Sequence, residues 1–302
     1  MDERKGHLDA TAVVVIVGCT VVWGLGQVAS KVALPEVPSF TQAGARSVGA
    51  AALLLAWTAY RRMPVWSRDG TLPAGIGAGL LFTGEFAAIY TGLRYTTAGR
   101  MAVFLYLAPF VVAAGMPLLL KVEYLRRSQL VGLLAAFGGV ALAFSEGFTG
   151  TAALPLQWLG DLLGVTAGFL WGATTLLVRA TRLSTAPPAK TLLYQLGLSG
   201  LVLLPIGVLT EAPVRWPLSG LVSVSMAFQI LVIGSTSYLL WFWLVRHYPA
   251  TRLSAFTLLT PILGLVAGAV LLHEPLTLRL LVALLTVCTG IYVVNRVPDR
   301  RD

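Results

Sequence analysis

Long apolar runs without a charged residue constrain this chain more than any other feature. Residues 10–30, 101–120 and 253–272 each lack Asp, Glu, Lys and Arg. A helix needs about 20 mostly apolar residues to cross the hydrocarbon core of a bilayer. The repetition of such runs along one chain predicts a fold whose solvent is the membrane.

The other apolar segments complete a set of ten predicted helices. Hydrophobic residues make up 57% of the chain and charged residues 12%, and the mean hydropathy is +0.80, which is typical of membrane proteins. The predicted spans are residues 11–33, 40–60, 72–93, 99–120, 128–145, 156–178, 188–209, 222–245, 252–272 and 277–295. We therefore predict an all-α, polytopic membrane protein with ten transmembrane helices.

The basic residues predict the orientation of these helices. The net charge is +9, but Lys and Arg stand in short groups between apolar runs, so they do not indicate a nucleic-acid partner. With a cytoplasmic N-terminus, most of the 22 Lys and Arg fall on the inner side, as the positive-inside rule requires. We expect a multi-pass protein of a bacterial-type inner membrane with both termini cytoplasmic, and a retained first helix instead of a cleaved signal peptide.

The two halves of the chain, 1–150 and 151–302, share a pattern that predicts two repeats of five helices. Trp-Gly is followed eight residues later by a basic residue in helices one and six, and a basic residue precedes a proline by nine, with a glutamate beyond, around helices four and nine. The matching residues are Trp23, Gly24 and Lys31 with Trp171, Gly172 and Arg179, then Arg100, Pro109 and Glu123 with Arg252, Pro261 and Glu274. An odd number of spans in each half makes the repeats inverted, an architecture typical of secondary transporters.

These features together resemble the drug/metabolite transporter superfamily, in particular its ten-helix EamA group and the YddG-type aromatic amino-acid exporters within it. The segment 272–277 is a further marker of the group, and the resemblance covers about residues 11–295. It implies a central cavity between helices one, three, four, six, eight and nine that opens alternately to either side. Helices five and ten would hold the halves together.

Glu85 is predicted to be the only carboxylate well inside a span, near the middle of helix three. A charge at that depth costs about 2.5 to 3.5 kcal/mol on insertion scales unless it is paired or solvated. The functional interpretation is that Glu85 binds a substrate ammonium or carries a coupling proton. The structural alternative is a pair with Arg46 or a protonated carboxyl bonded to a neighbouring helix, although Arg46 is expected to extend toward the outer surface.

Aromatic and polar side chains in the same helices are the other candidates for substrate binding. Aromatic faces suit flat apolar groups and ammonium ions, whereas the alternative is ordinary packing between helices. The predicted substrate-binding residues are Trp23, Gln27, Glu85, Tyr90, Tyr106, Trp171, Tyr238 and Trp241. The paired prolines Pro109 and Pro261 are predicted hinges, or else kinks that only shape the bundle.

The sequence favours a transporter over other functions. It has no GxSxG, HExxH or phosphate-binding loop, and its three histidines fall at or beyond helix ends, so we expect no enzymatic activity, no cofactor and no metal site. A channel is disfavoured by the inverted repeats. We predict an alternating-access exporter of small metabolites, foremost aromatic or other neutral amino acids, with efflux of cationic drugs or another polar metabolite as the alternative. The bilayer is expected as its environment, with no soluble protein partner.

Overall fold

The described part of the chain is a bundle of helices without strands. A computed structural model describes residues 8–120, 127–148, 154–248, 253 and 256–295. The α-helices are α1 Ala10–Ala33, α2 Ser39–Tyr60, α3 Leu72–Gly92, α4 Ala98–Leu105, α5 Ala108–Leu120, α6 Arg127–Phe144, α7 Gln157–Ala180, α8 Pro188–Thr210, α9 Gly220–Ala227, α10 Tyr238–His247, α11 Leu259–Leu272 and α12 Leu278–Asn295. A π-helix, Phe228–Ser237, joins α9 to α10, and short 3₁₀ helices lie at Ser145–Phe148 and Arg182–Ser184. Glu123 and Arg252 of the repeat pattern lie outside the described residues.

Many of these helices have the length and composition of membrane spans. In the described ranges six helical stretches are long and apolar enough to cross a bilayer, and three shorter helices are also apolar. The six long stretches are Ala10–Ala33, Leu72–Gly92, Ala98–Gly115, Gln157–Ala180, Pro188–Thr210 and Gly220–Trp241. Large hydrophobic side chains such as Leu80, Leu201 and Leu209 point outward, as lipid contact requires. Because α2 carries Arg46 and several hydroxyl groups, it is absent from both sets, and the count of ten spans stays a prediction.

Helices from the two halves pack against each other along most of their length. Helix α2 lies along α8, α6 along α12, α1 along α11, and α7 along α3, α4 and α5. Glycines make the closest of these contacts: Gly160, Gly164, Gly168 and Gly172 of α7 face residues 95–111, as the small-residue spacing predicts. A Cβ atom on Gly168 would lie 2.7 Å from the carbonyl oxygen of Phe104. Larger residues on this ridge would therefore separate the halves.

The helices that contain the two matching prolines of the repeat pattern are each interrupted before the proline. The predicted span 99–120 is two helices, α4 and α5, with a turn at Tyr106 and Leu107 just before Pro109. A turn at Leu258 likewise precedes Pro261 of α11. Proline has no amide hydrogen and its ring crowds the preceding turn, which explains a break at these two places. Whether the breaks act as hinges stays a prediction.

Candidate functional site

A buried group of charged and aromatic side chains lies between α2, α3 and the π-helix with its α10 extension. Glu85 and Arg46 are 7% and 3% exposed, and the Arg46 guanidinium lies 4.4 Å from the centre of the Phe86 ring. Arg46 interacts electrostatically with Glu85 and with the hydroxyls of Tyr90 and Tyr238. Within the described residues the Glu85 carboxyl forms neither a hydrogen bond nor an ion pair. We call Arg46, Glu85, Phe86, Tyr90 and Tyr238 the central cluster.

A hydrogen-bonded seam fixes one side of the central cluster. The Tyr90 hydroxyl donates to Oε1 of Gln229 over 2.7 Å, and Gln229 lies in the π-helix. Nε2 of Gln42 donates to the Ser30 carbonyl over 3.0 Å, and Nε2 of Gln229 reaches the Ala29 carbonyl over 3.3 Å. The seam therefore ties α1, α2 and α3 to the π-helix and holds the Tyr90 hydroxyl in place. Within the described residues, Oε1 of Gln42 is the buried atom of this seam that has no hydrogen-bond partner.

Two of the predicted substrate-binding residues, Trp23 of α1 and Trp241 of α10, form an aromatic pair. The rings of Trp23 and Trp241 meet edge to face with centroids 5.5 Å apart. Nε1 of Trp23 donates to the Ser237 hydroxyl over 2.9 Å. Gln27, one turn further along α1, has a buried Oε1 without a hydrogen-bond partner in the part of the chain that the structure describes. The indole donor is thus used between helices, while the amide oxygen of Gln27 is available for a ligand.

Tyr106 and Trp171 form a second aromatic pair, between the α4–α5 break and α7. Their rings also meet edge to face, with centroids 5.8 Å apart. Tyr106 is buried, but Trp171 is 37% exposed and reaches the surface of the bundle. The eight predicted residues therefore fall into the central cluster, which contains Glu85, Tyr90 and Tyr238, and two aromatic pairs with Gln27 beside the first. Their role in binding stays a prediction.

Arg46 occupies a different environment from the one expected. The sequence predicted a side chain that extends to the outer surface, but Arg46 is 3% exposed and stacks on Phe86 inside the bundle. That expectation is wrong because α3 and the π-helix pack against this side of α2, at Phe86 and Gly234. The available signal was a lone arginine in a helix rich in small and hydroxyl residues, which indicates an interior position.

A second buried charge cluster, which sequence reasoning did not find, ties α4 to α7 and to the end of α6. Nε and Nη2 of Arg100 donate to the Asp161 carboxylate over 3.0 and 2.6 Å, and Nη1 donates to Glu146 over 2.5 Å. The Thr96 hydroxyl donates to Asp161 over 2.6 Å, and Arg100 also reaches the Ala143 carbonyl over 2.6 Å. With its donors and acceptors satisfied in this way, the cluster acts as a structural tie.

The carboxylate of Glu274 caps the start of α4. It accepts the backbone N–H groups of Ala98 and Gly99 over 2.7 and 3.0 Å, where the helix dipole favours a negative charge. Lys31, at the end of α1, lies 3.2 Å from the same carboxylate and donates to the Thr96 carbonyl over 2.6 Å. We call Glu274, Lys31 and the start of α4 the latch. It joins α1, α4 and the α11–α12 connection.

A third ion pair fixes the loop between α2 and α3 against the start of α8. Lys190, which is 4% exposed, lies 2.8 Å from Asp69 and donates to the Ser67 carbonyl over 2.7 Å. The hydrogen bond from Lys190, together with bonds from Thr71 and Ser67, holds the pKa of the Asp69 carboxyl well below its ordinary value. The ion pair is therefore complete at neutral pH.

We expect Asp69→Asn to lower the thermal stability of the protein at neutral pH by an amount that depends on pH. A carboxyl whose pKa is depressed on folding contributes stability above its unfolded pKa of about 3.9, and this contribution is lost as the pH falls further. The difference in melting temperature between the wild type and Asp69→Asn in detergent should therefore narrow below about pH 4. If the difference in melting temperature were the same at pH 3 as at pH 7, the Asp69 carboxylate would not be stabilised by this ion pair.

The architecture and the comparisons together identify the family. Apolar helices that enclose buried charges and polar seams define a multi-pass membrane protein. The model of the EamA-like transporter family matches residues 10–145 and, a second time, residues 158–296, and the chain belongs to this family. It is a transporter of the drug/metabolite superfamily, as the motifs predicted. In the described ranges no group of three His, Cys, Asp or Glu side chains is placed to hold a metal ion.

Relatives extend over nearly the whole chain. An uncharacterized transporter, YvbV, of Bacillus subtilis is 30% identical over 91% of this chain and 88% of its own length. A probable amino-acid metabolite efflux pump of Salmonella typhimurium is 26% identical over 97% of this chain and 95% of its own length. A protein of the same description from Escherichia coli is 25% identical over 96% of this chain and 95% of its own length. A solved crystal structure has a TM-score of 0.65 at 17% identity over 94% of this chain and 97% of its own, which shows the fold alone.

Proposed function

We propose that this protein exports aromatic or other neutral amino acids across the inner membrane by alternating access. The central cluster carries the proposal, because a carboxyl that has no hydrogen-bond partner among the described residues lies beside aromatic rings there. Glu85 can accept an ammonium group while Phe86, Tyr90 and Tyr238 receive an apolar or aromatic side chain. The relatives described as amino-acid metabolite efflux pumps support the same substrate class.

The proposed mechanism uses two inverted halves, 1–150 and 151–302, of five spans each. It is supported by the two separate matches of the family model and by helix pairs that join the halves, such as α1 with α11 and α7 with α4. Transporters of this kind bind substrate between the halves and rock them around that site. The breaks before Pro109 and Pro261 lie between α4 and α5 and directly before α11, and they would serve as hinges. Both termini would face the cytoplasm.

The proposal predicts saturable phenylalanine flux that depends on Glu85. We expect liposomes containing the purified protein to exchange radiolabelled phenylalanine, and Glu85→Gln to lower the rate at least tenfold, because a charged hydrogen bond of about 1.5–3 kcal/mol is lost. The measurement is counterflow at equal and then unequal pH on the two sides. A response to the pH gradient would indicate proton coupling through Glu85, whereas an equal rate at both settings would indicate a facilitator.

Two results would count against this function. Unchanged rate and pH dependence in Glu85→Gln would remove the role of the carboxyl. Absence of amino-acid flux, combined with flux of a lipophilic cation such as tetraphenylphosphonium, would favour the drug-efflux alternative, since a carboxylate among aromatic rings also suits a cation. Flux that rises linearly with concentration would instead indicate a pore.

A further inference from the structure

The buried guanidinium of Arg46 has a donor that none of the described residues uses. Its Nη1 atom is buried without a hydrogen-bond partner among them, and the side chain as a whole is 3% exposed. A buried charged donor that is left unsatisfied is costly, so such a group normally has a partner. In the same bundle Arg100 binds two carboxylates. The contrast between the two arginines indicates that Arg46 is prepared for a partner that comes from outside the chain.

Arg46 and Glu85 lie at the same depth in the bundle. Arg46 is about two turns after the start of α2 and Glu85 about two turns before the end of α3, a rise of about 10 Å in each case. Those two helix ends adjoin, because the Ser39 hydroxyl donates to the Tyr90 carbonyl over 3.1 Å. The two charges attract each other but form no ion pair at 4.0 Å or less within the described residues.

We propose that Arg46 and Glu85 form a two-charge receptor for a zwitterion, in which Arg46 binds the α-carboxylate of an amino acid and Glu85 binds its ammonium. This inference rests on the proposed function and assigns the substrate class to a pair of residues. The planar guanidinium matches a carboxylate with two parallel hydrogen bonds. A ligand with only a positive charge meets repulsion from Arg46, and one with only a negative charge meets repulsion from Glu85.

The surroundings of the pair also fit an amino acid. The Phe86 ring packs against the guanidinium, with its centre 4.4 Å from the guanidinium carbon, and restricts where that group can turn. The π-helix comes close to α2 at Gly234, where a Cβ atom would lie 2.8 Å from Cβ of Ala50 and 4.0 Å from Nε of Arg46. Irregular helical turns are frequent at functional sites of helices.

Competition by fragments of phenylalanine tests the receptor. Phenethylamine keeps the ring and ammonium but lacks the carboxylate, and 3-phenylpropionate keeps the ring and carboxylate but lacks the ammonium. In phenylalanine counterflow, we expect unlabelled phenylalanine to inhibit the wild type at least tenfold more strongly than either fragment. Arg46→Gln should raise the KM for phenylalanine at least tenfold and remove the preference over phenethylamine, and Glu85→Gln should remove the preference over 3-phenylpropionate.

The controls separate binding from structure. Arg94→Gln removes an exposed cation near the same end of α3 and should change neither the KM nor the preferences. Arg46→Lys keeps the positive charge but loses the planar guanidinium. We therefore expect a KM for phenylalanine between those of the wild type and Arg46→Gln, with the preference over phenethylamine retained. If Arg46→Gln does not fold, Arg46→Lys takes its place in the test. If the pair were only structural, the double variant Arg46→Gln, Glu85→Gln would recover wild-type flux, and that recovery would overturn the proposal.

The failure of this inference differs from the failure of the proposed function. If the wild type transports phenylalanine and Arg46→Gln keeps both the KM and the preference over phenethylamine, the receptor is wrong while amino-acid export stands. If the wild type carries no neutral amino acid, both are wrong. If it prefers phenethylamine to phenylalanine, the receptor is also wrong, and the site selects cations.

Discussion

Replacing Arg100 with methionine is expected to destabilise the folded protein by about 3–5 kcal/mol, because it leaves two buried carboxylates without their cation. Asp161 is fully buried and Glu146 is 3% exposed, so water cannot take the place of the guanidinium. The three residues join α4, α7 and the end of α6, which places the loss at a contact between the two halves. Unfolding by SDS titration in bicelles measures the change.

Two variants sharpen the Arg100 experiment. Arg94→Met removes an exposed arginine from the turn before α4 and should leave stability within about 0.5 kcal/mol of the wild type. The triple variant Arg100→Met, Asp161→Leu, Glu146→Leu replaces all three charges with apolar groups and should be more stable than Arg100→Met alone, since apolar replacement of a whole buried ion cluster is often neutral. Equal stability of Arg100→Met and Arg94→Met would mean that the cluster contributes nothing.

Helix positions were largely predictable because the bilayer imposes one simple rule on the sequence. Apolar runs of about 20 residues predicted spans 72–93 and 188–209, which match α3 Leu72–Gly92 and α8 Pro188–Thr210 closely. The glycine spacing of α7 likewise predicted a close helix contact, since small residues have no other advantage in lipid. In each case the information is local to the segment.

The irregular geometry of the π-helix was harder to predict from the sequence. The predicted span 222–245 contains a π-helix, Phe228–Ser237, in which the hydroxyls of Ser235 and Thr236 bond to carbonyls five residues earlier. The run Gly234 to Ser237 was a weak signal, because hydroxyl side chains compete for backbone carbonyls in membrane helices. Apolar periodicity alone does not distinguish an α-helix from a π-helix over ten residues.

The composition of the central cluster shows what a sequence pattern leaves out. Glu85, Tyr90 and Tyr238 were predicted from their residue types and depth, and the structure places them together. Arg46 was assigned to the surface because its distance from the helix end allows that. Its true position depends on which face of α2 is covered by α3 and the π-helix, and this tertiary information is absent from a single helix.

Glu274→Ala is expected to open the end of the bundle that the latch closes. The substitution removes an acceptor from the Ala98 and Gly99 amides and a partner from Lys31, and each charged hydrogen bond is worth about 1.5–3 kcal/mol. Because about 1.4 kcal/mol corresponds to a factor of ten, the population of the state with α4 separated from α11 should rise at least tenfold. Phenylalanine counterflow should slow by a similar factor, because the transporter would leave the latched state too readily.

Thiol labelling measures this shift directly. Ala102 of α4 is 4% exposed and faces Gly264 of α11, so a cysteine there reacts with maleimide only when the two helices separate. In a background that carries Cys19→Ser and Cys288→Ser, we expect Ala102→Cys to be labelled at least tenfold faster when Glu274→Ala is added. Glu211→Ala is the matched control, since Glu211 caps the start of α2 in the same manner, away from the latch. If both substitutions accelerate labelling equally, they only loosen the bundle; if neither does, the contact at Glu274 is static and alternating access must open elsewhere.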